Sequence, residues 1–402
     1  MVPNGWSIQK LEQIATVERG KFSARPRNDP KYFGGNIPFV QTGDIAAAKT
    51  YLQNYTQTLN EDGLKVSRLF PKDTILITIA ANIGDTAITS FDVACPDSLV
   101  AIRTNKDTDC FWLKLYLETC KDELDGKATQ NAQKNINLQV LKPLEVLTPP
   151  YPEQRKIAQI LSTWDRGIAT TEKLIDASKQ QKKALMQQLL TGKKRLVDPE
   201  TGKAFQGDWE ATTISQLITE SRLTGTNGEL AKKITVKLYG RGVTKKEEKR
   251  LGSESTKYYK RKAGQFIYSK LDFLNGAFGI IPQSLDGYES TLDLPAFDFT
   301  PNVIPKWFIE FVSRDDFYTS NLGLANGGRK ARRVNPKDLL QIKVRLPSIK
   351  EQQKISSVLT AADKEIKLLE TKLAHLKLEK KSLMQQLLTG KRRVKVAETE
   401  AA

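Results

Sequence analysis

The sequence predicts an α+β protein built as a tandem pair. Two globular α/β segments are each followed by one long helix, and the two helices pair as an antiparallel coiled coil about a pseudo-twofold axis. Three observations lead there. The string Leu185-Met186-Gln187-Gln188-Leu189-Leu190-Thr191-Gly192-Lys193 returns unchanged as Leu383 to Lys391, 198 residues later. Apolar residues recur at heptad spacing upstream of both copies. The stretch ahead of each copy mixes short β-type runs with turns and a few helices, so the repeat unit is a whole segment plus its helix.

In chain order, the first globular segment covers residues 1–150. Within it, Asn36 to Ile45 reads as a strand running into a turn, and Thr74 to Ile79 as a buried strand ending at Asn82-Ile83-Gly84-Asp85. Phe111 to Leu124 reads as a helix. A spacer helix then occupies 151–195, introduced by Pro149, Pro150 and Pro152 and closed by Gly192, where a C-terminal cap belongs. Its heptads put Ile157, Trp164, Thr171, Ser178 and Leu185 at a, and Leu161, Ile168, Ile175, Lys182 and Leu189 at d. The second globular segment, 205–347, carries a strand at Gly264 to Ser269, a turn at Asn275 to Gly279 and a helix at Pro305 to Val312. The second spacer helix, 348–395, has the cleaner seam: Ile355, Ala362, Leu369, Leu376 and Leu383 at a, with Leu359, Ile366, Leu373, Lys380 and Leu387 at d.

At ~1.5 Å per residue each seam is about 50 Å long, and neither helix buries its stripe alone. An antiparallel pairing with full overlap sets Ile157 against Leu387. The same register sets Lys380 against Trp164, whose indole face would receive the ammonium, and Lys182 against Ala362.

Composition narrows the chemistry. The 402 residues include 63 Lys plus Arg against 46 Asp plus Glu, a net charge of +17. A surplus of that size fits a polyanionic partner, because Lys and Arg neutralise phosphates and release counterions. Cys95, Cys110 and Cys120 form no C-x-x-C pair, and His375 is the single histidine, so a structural zinc or a His-based catalyst lacks ligands. Thr191-Gly192-Lys193 lacks the upstream Gly of a phosphate loop, and Gly240-Arg241-Gly242 lacks the third Gly of a dinucleotide site. No Asn or Asp is followed by Pro-Pro and an aromatic residue, the adenine-methyltransferase signature. The expectation is a chain that binds rather than catalyses, with no metal and no cofactor of its own. Met1-Val2-Pro3-Asn4-Gly5-Trp6 has neither the cationic start nor the apolar core of a signal peptide, and no apolar run reaches membrane-spanning length. A cytoplasmic location without a membrane partner is expected.

Both globular segments are rich in groups suited to phosphates and base edges. In the first these are Arg25, Arg27, Asn28, Gln41, Thr42, Asn82, Lys127, Gln130 and Lys134. In the second they are Arg241, Lys257, Tyr258, Tyr259, Arg261, Lys270 and the basic loop Arg329, Lys330, Arg332 and Arg333. Basic residues interleaved with tyrosines fit phosphate tracking with base or sugar contact. Taken alone, these residues also suit an architectural DNA-binding protein with a coiled-coil arm.

Two unlike segments, each followed by a helix of the form E-Q-x-K-I to L-M-Q-Q-L-L-T-G-K, resemble the specificity subunit of type I restriction-modification systems. The resemblance covers almost the whole chain; Ile37 to Ile45 and Lys257 to Gly279 also look like stretches of its target recognition domains. It implies two target recognition domains, 1–150 and 205–347, held by an antiparallel coiled-coil spacer, and a non-catalytic role. It implies double-stranded DNA as ligand, two methyltransferase subunits bringing S-adenosylmethionine, and motor-nuclease subunits bringing ATP and Mg²⁺. The expected target is bipartite and asymmetric, with half-sites about one helical turn, ~34 Å, apart.

Overall fold

The computed structural model describes residues 2–128, 134–247, 252–321, 323 and 333–396. They divide into two compact units, one of residues 1–171 with 372–402 and the other of residues 172–371. Each unit therefore takes one globular segment, half of one long helix and half of the other. The linear order of segment then helix is not the order of packing.

In the first unit, Ser7–Lys10 pairs antiparallel with Glu145–Thr148, the strand that leads into the long helix Tyr151–Leu189. A five-stranded sheet follows the order Ala15–Arg19, Leu99–Thr104, Ile75–Thr78, Thr86–Thr89, Tyr51–Leu52. Side chains alternate across it. Ile75, Ile77, Val100 and Ile102 face Trp112, Leu113 and Leu115 of the helix Cys110–Thr119. Leu76, Ala87 and Ala101 face Val40, Ile45 and Leu52 on the other side. The strand expected over Asn36 to Ile45 is a strand only at Phe33–Phe39; Thr42–Ala47 is helical. Asp44 explains the difference, since its carboxylate accepts from the Gln41 amide at 2.8 Å and starts a helical turn.

The second unit repeats the plan in different residues. Glu210–Thr213 pairs with Lys343–Leu346 ahead of the long helix Ile349–Leu387. Ile218–Ser221, Ala296–Phe299, Phe266–Tyr268 and Phe278–Ile280 form a four-stranded antiparallel sheet, matching the first four strands of the other unit's larger sheet in order and sense. Pro305–Val312 supplies the covering helix through Trp307, Phe308 and Phe311. A three-stranded sheet and a hairpin, Ile234–Val236 with Val243–Lys245, complete it.

The long helices pair antiparallel within each unit. In the first, Ile157, Leu161, Leu387 and Leu388 share one buried cluster, joined by Leu383, and Lys380 reaches Asp165 at 2.6 Å. In the second, Leu189, Ile355 and Leu359 are buried together with Leu185 against them, and Lys182 reaches Asp363 at 2.6 Å. Of the remaining seam positions Ile175 is buried, and Trp164, Ile168, Ile366, Leu369, Leu373 and Leu376 are half-buried. Thr171, unusual at a, is buried with its hydroxyl donated to the Gly167 carbonyl at 2.8 Å. The expected antiparallel sense holds, since the start of each helix is buried with the end of the other, but the neighbours of the seam lysines are corrected. A half-buried ammonium is better matched by a full charge than by an indole face or a methyl group, and Asp165 and Asp363 stand one position beyond Trp164 and Ala362.

Candidate nucleic-acid interface

What fixes the globular segments on the helices is a junction built twice. Glu153 and Gln154, and their counterparts Glu351 and Gln352, lie in the first turns of the two long helices, and all four are buried. Glu351 accepts both arms of the Arg195 guanidinium, at 2.7 and 2.8 Å, and the Trp209 indole N–H at 3.1 Å. Glu153 does the same with Arg393, at 2.9 Å from Nε and through a second short contact, and with the Trp6 indole at 3.2 Å. Each guanidinium also lies over its tryptophan, 5.9 Å from Trp209 and 5.6 Å from Trp6. Each donates once more to a carbonyl just ahead of that ring, Gly207 at 2.8 Å and Asn4 at 2.7 Å. The chain reaches this position through Gly192 and Gly390, whose φ of +72° and +67° is the left-handed conformation glycine adopts freely.

The glutamines hold the other side. Gln154 accepts from the Asp109 amide at 2.8 Å and donates to the Pro149 and Asp107 carbonyls at 2.9 and 3.3 Å. Gln352 accepts from the Ile304 amide at 2.8 Å and donates to Pro347 and Asn302 at 2.9 and 3.1 Å. Each ties its helix to the loop that starts the covering helix. The repeated Glu-Gln pair is thus a structural joint, which leaves the outer surfaces of the segments free to differ.

On the first segment, Arg27, Asn28 and Gln41 line one open cleft of about 400 Å³ whose walls include Phe22, Phe33 and Phe39. Gln57, which no sequence pattern singles out, joins them and accepts from the Gln41 side-chain amide at 3.1 Å. Arg27 pairs with Asp97 at 2.9 Å, and this hydrogen bond holds the Asp97 carboxyl below its usual range. Arg25 is exposed nearby in sequence, with one guanidinium nitrogen on the Ala24 carbonyl. Thr42 is half-buried at the start of its helix. Asn82, Lys127 and Lys134 do not line this cleft. Asn82 is exposed, and the two lysines are engaged with Glu123 at 2.5 Å and Asp125 at 3.0 Å. Gln130 lies outside the described residues.

On the second segment, Lys257, Tyr258 and Tyr259 share the strand Lys257–Lys260; Lys257 is exposed and both tyrosines are half-buried. Arg261 is corrected from a DNA contact to a core residue. Only 1 % exposed, it donates to the Ser290 hydroxyl at 2.7 Å and the Ser221 and Leu294 carbonyls at 2.8 and 3.2 Å. Burial lowers its pKa to about 10. The reason is local: Arg261 follows the strand Lys257–Lys260 directly and turns inward to tie Ser290 to Ser221 and Leu294, with its guanidinium 5.6 Å from the Tyr259 ring. Arg241 is exposed at the hairpin tip, Lys270 is half-buried, and Arg333 is exposed 4.0 Å from Asp293. Arg329, Lys330 and Arg332 lie outside the described residues.

Among the described residues no group of His, Cys, Asp and Glu is placed to hold a metal ion, and no helix is long and apolar enough to cross a membrane. Burial raises the Cys95 thiol to about 12, far from a nucleophile's range.

Comparison with known proteins agrees with this geometry. A family model described as the type I restriction modification DNA specificity domain matches residues 3–179 and 306–378. The specificity subunit of the type I restriction enzyme MjaVIII, from Methanocaldococcus jannaschii, is 22 % identical over 425 residues, covering 98 % of this chain and 94 % of the relative. The solved S subunit of a type I restriction-modification system from M. genitalium matches with a TM-score of 0.54 at 15 % identity, over 96 % of this chain and 97 % of the other. A chain from a study of assembly and conformational transition in the type I R-M system reaches 0.62 at 14 % identity, over 96 % and 98 %. At those identities the solved structures speak to the fold alone.

Proposed function

The chain belongs to the type I restriction-modification DNA specificity family, and from that premise we propose that each of its globular segments reads one half of a bipartite, asymmetric DNA target. The observation that carries this reading is the junction built twice from the same residue types. An identical mount that holds two different surfaces is what two independent readers on one frame require. The cleft of Arg27, Asn28, Gln41 and Gln57 offers amide and guanidinium groups that match base edges in pairs. The exposed Lys257, Arg241 and Arg333 suit phosphates. The 39-residue helices would set the number of unspecified base pairs between the half-sites.

In this reading the chain recruits two methyltransferase subunits and the motor-nuclease subunits. S-adenosylmethionine, ATP and Mg²⁺ belong to those partners, and the chain itself does no chemistry. Methylated adenines mapped genome-wide, in cells carrying the whole system, test the proposal. Replacing residues 210–346 by the corresponding segment of a relative is expected to change one half-site and keep the other. A map in which both halves change, or neither does, overturns it.

A further inference from the structure

The hairpin Ile234–Val236 with Val243–Lys245 carries a residue for which the fold itself has no use. Its base is firmly seated. Ile234, Val236 and Val243 are buried with Ile267, Ala277 and Ile281, and the Glu289 amide donates to the Lys232 carbonyl at 2.7 Å. Beyond the base, residues 237–241 are all exposed. At the tip, Tyr239 is 73 % exposed and lies outside every buried cluster. Its φ is +58°, a left-handed conformation that bulky residues rarely adopt.

That conformation is enforced from outside the hairpin. The Tyr239 amide donates to the Asn275 carbonyl at 2.9 Å and the Gly240 amide to the Gly276 carbonyl at 2.8 Å, while Lys237 closes the hairpin onto Gly242 at 2.9 Å. The approach is close enough that a Cβ on Gly276 would stand 3.2 Å from the Tyr239 Cα. A strained backbone that its surroundings hold in place, with a large ring turned to solvent, is the pattern of a functional contact. Lys237 and Arg241 stand two positions to either side of Tyr239 in the turn, both exposed. Cations on either side of a projecting aromatic match a groove, with phosphates along both walls and base and sugar edges on the floor. A two-stranded ribbon is narrow enough to enter.

Resting on the specificity reading above, we infer that Tyr239 is the groove-entering, specificity-determining residue of the second segment. Its ring packs on base or sugar edges of one half-site, and Lys237 and Arg241 hold the adjacent phosphates.

The test uses the full chain assembled with its methyltransferase subunits, and duplexes carrying the target found by methylation mapping or single base changes in either half. Glycine and asparagine both accept the left-handed backbone, so Tyr239→Gly and Tyr239→Asn remove the ring and are expected to keep the melting temperature at or above that of the unsubstituted chain. Both are expected to bind the target about tenfold more weakly, the scale of one lost aromatic contact to a base. Discrimination should fall at one half-site only, and Tyr239→Phe should stay within about twofold, since the ring carries the contact. Arg241→Ala should instead lower the salt dependence of binding by about one ion without altering base preference. If the unsubstituted complex prefers its target and the ring-less variants match it on every duplex, or lose discrimination equally in both halves, the inference about Tyr239 is overturned and the specificity reading stands. An unsubstituted complex without any target preference overturns both.

Discussion

The two junctions use the same three residue types in the same contacts, yet they are not equally buried. In the second unit the Glu351 side chain is 2 % exposed and Arg195 24 %, whereas in the first Glu153 is 11 % exposed and Arg393 40 %. The deeper junction is closed by a continuous linker, where Phe205 bonds back to Leu196 and Lys350 reaches Glu200 at 2.5 Å. The shallower one joins residues near the two ends of the sequence. Identical chemistry therefore sits in different dielectric surroundings, and the penalty for breaking it should differ accordingly. Removing one partner from a buried pair leaves an uncompensated charge and costs about 3–5 kcal/mol, which is the loss expected for Arg195→Ala in urea unfolding. Arg393→Ala exposes its glutamate to water more readily, and a loss of ~1–3 kcal/mol is expected. Equal losses would show that burial is not what separates the junctions.

The glutamines sharpen the comparison in the opposite direction. Gln154 and Gln352 are 1 % and 0 % exposed and make matching sets of three hydrogen bonds. Replacing either by leucine removes the partner of a part-buried backbone amide and strands a buried proline carbonyl, at about 2–3 kcal/mol for each substitution. Gln154→Leu and Gln352→Leu should therefore shift their unfolding midpoints by similar amounts. A clear difference between them would mean that the loops ahead of the two covering helices are not equivalent supports.

These joints also mark the limit of what the sequence discloses. The heptad seam was legible because its period is local, and the helix at Pro305–Val312 because proline and apolar spacing bound it. The Glu-Gln repeat was visible as a string, but its partners are not: Trp6 and Arg393 lie 147 and 240 residues from Glu153. Heptad spacing sets the Lys-at-d positions against the nearest facing residues, whereas their partners, Asp165 and Asp363, are one step along the helix, within the reach of a long flexible side chain. Arg261 shows the same limit from the other side. In a run of lysines and tyrosines nothing local tells a surface cation from one turned inward to bond Ser221, Ser290 and Leu294. The sheet plan common to both units was hidden for a further reason. Strand order is a property of pairing, and Ile75–Thr78 and Phe266–Tyr268 meet equivalent neighbours with no shared residues.

The smallest expected effect comes from the seam pairs, where the two units differ through what their globular segments add. Asp165 meets Lys380 and the Thr50 hydroxyl, at 2.6 and 3.4 Å. Asp363 meets Lys182 at 2.6 Å and Lys306 at 2.9 Å, and both lysines also reach the buried Glu310, at 3.2 and 2.6 Å. Burial by itself would raise the Asp363 pKa, but the hydrogen bonds from Lys182 and Lys306 outweigh it and hold the carboxyl below its usual value of 3.8. A carboxylate with a lowered folded pKa stabilises fully above its unfolded value, and the contribution fades as pH falls through the folded one. Asp363→Asn should therefore lose stability relative to the unsubstituted chain at neutral pH, and the gap should close below about pH 4. Its size should be modest, about 0.5–1 kcal/mol, because the side chain is 39 % exposed and Glu310 still compensates both ammonium groups. Denaturant midpoints measured between pH 3 and 7 check this. A gap that stays constant across that range would mean that the asparagine acts through packing and that the Asp363 charge contributes nothing to the second unit.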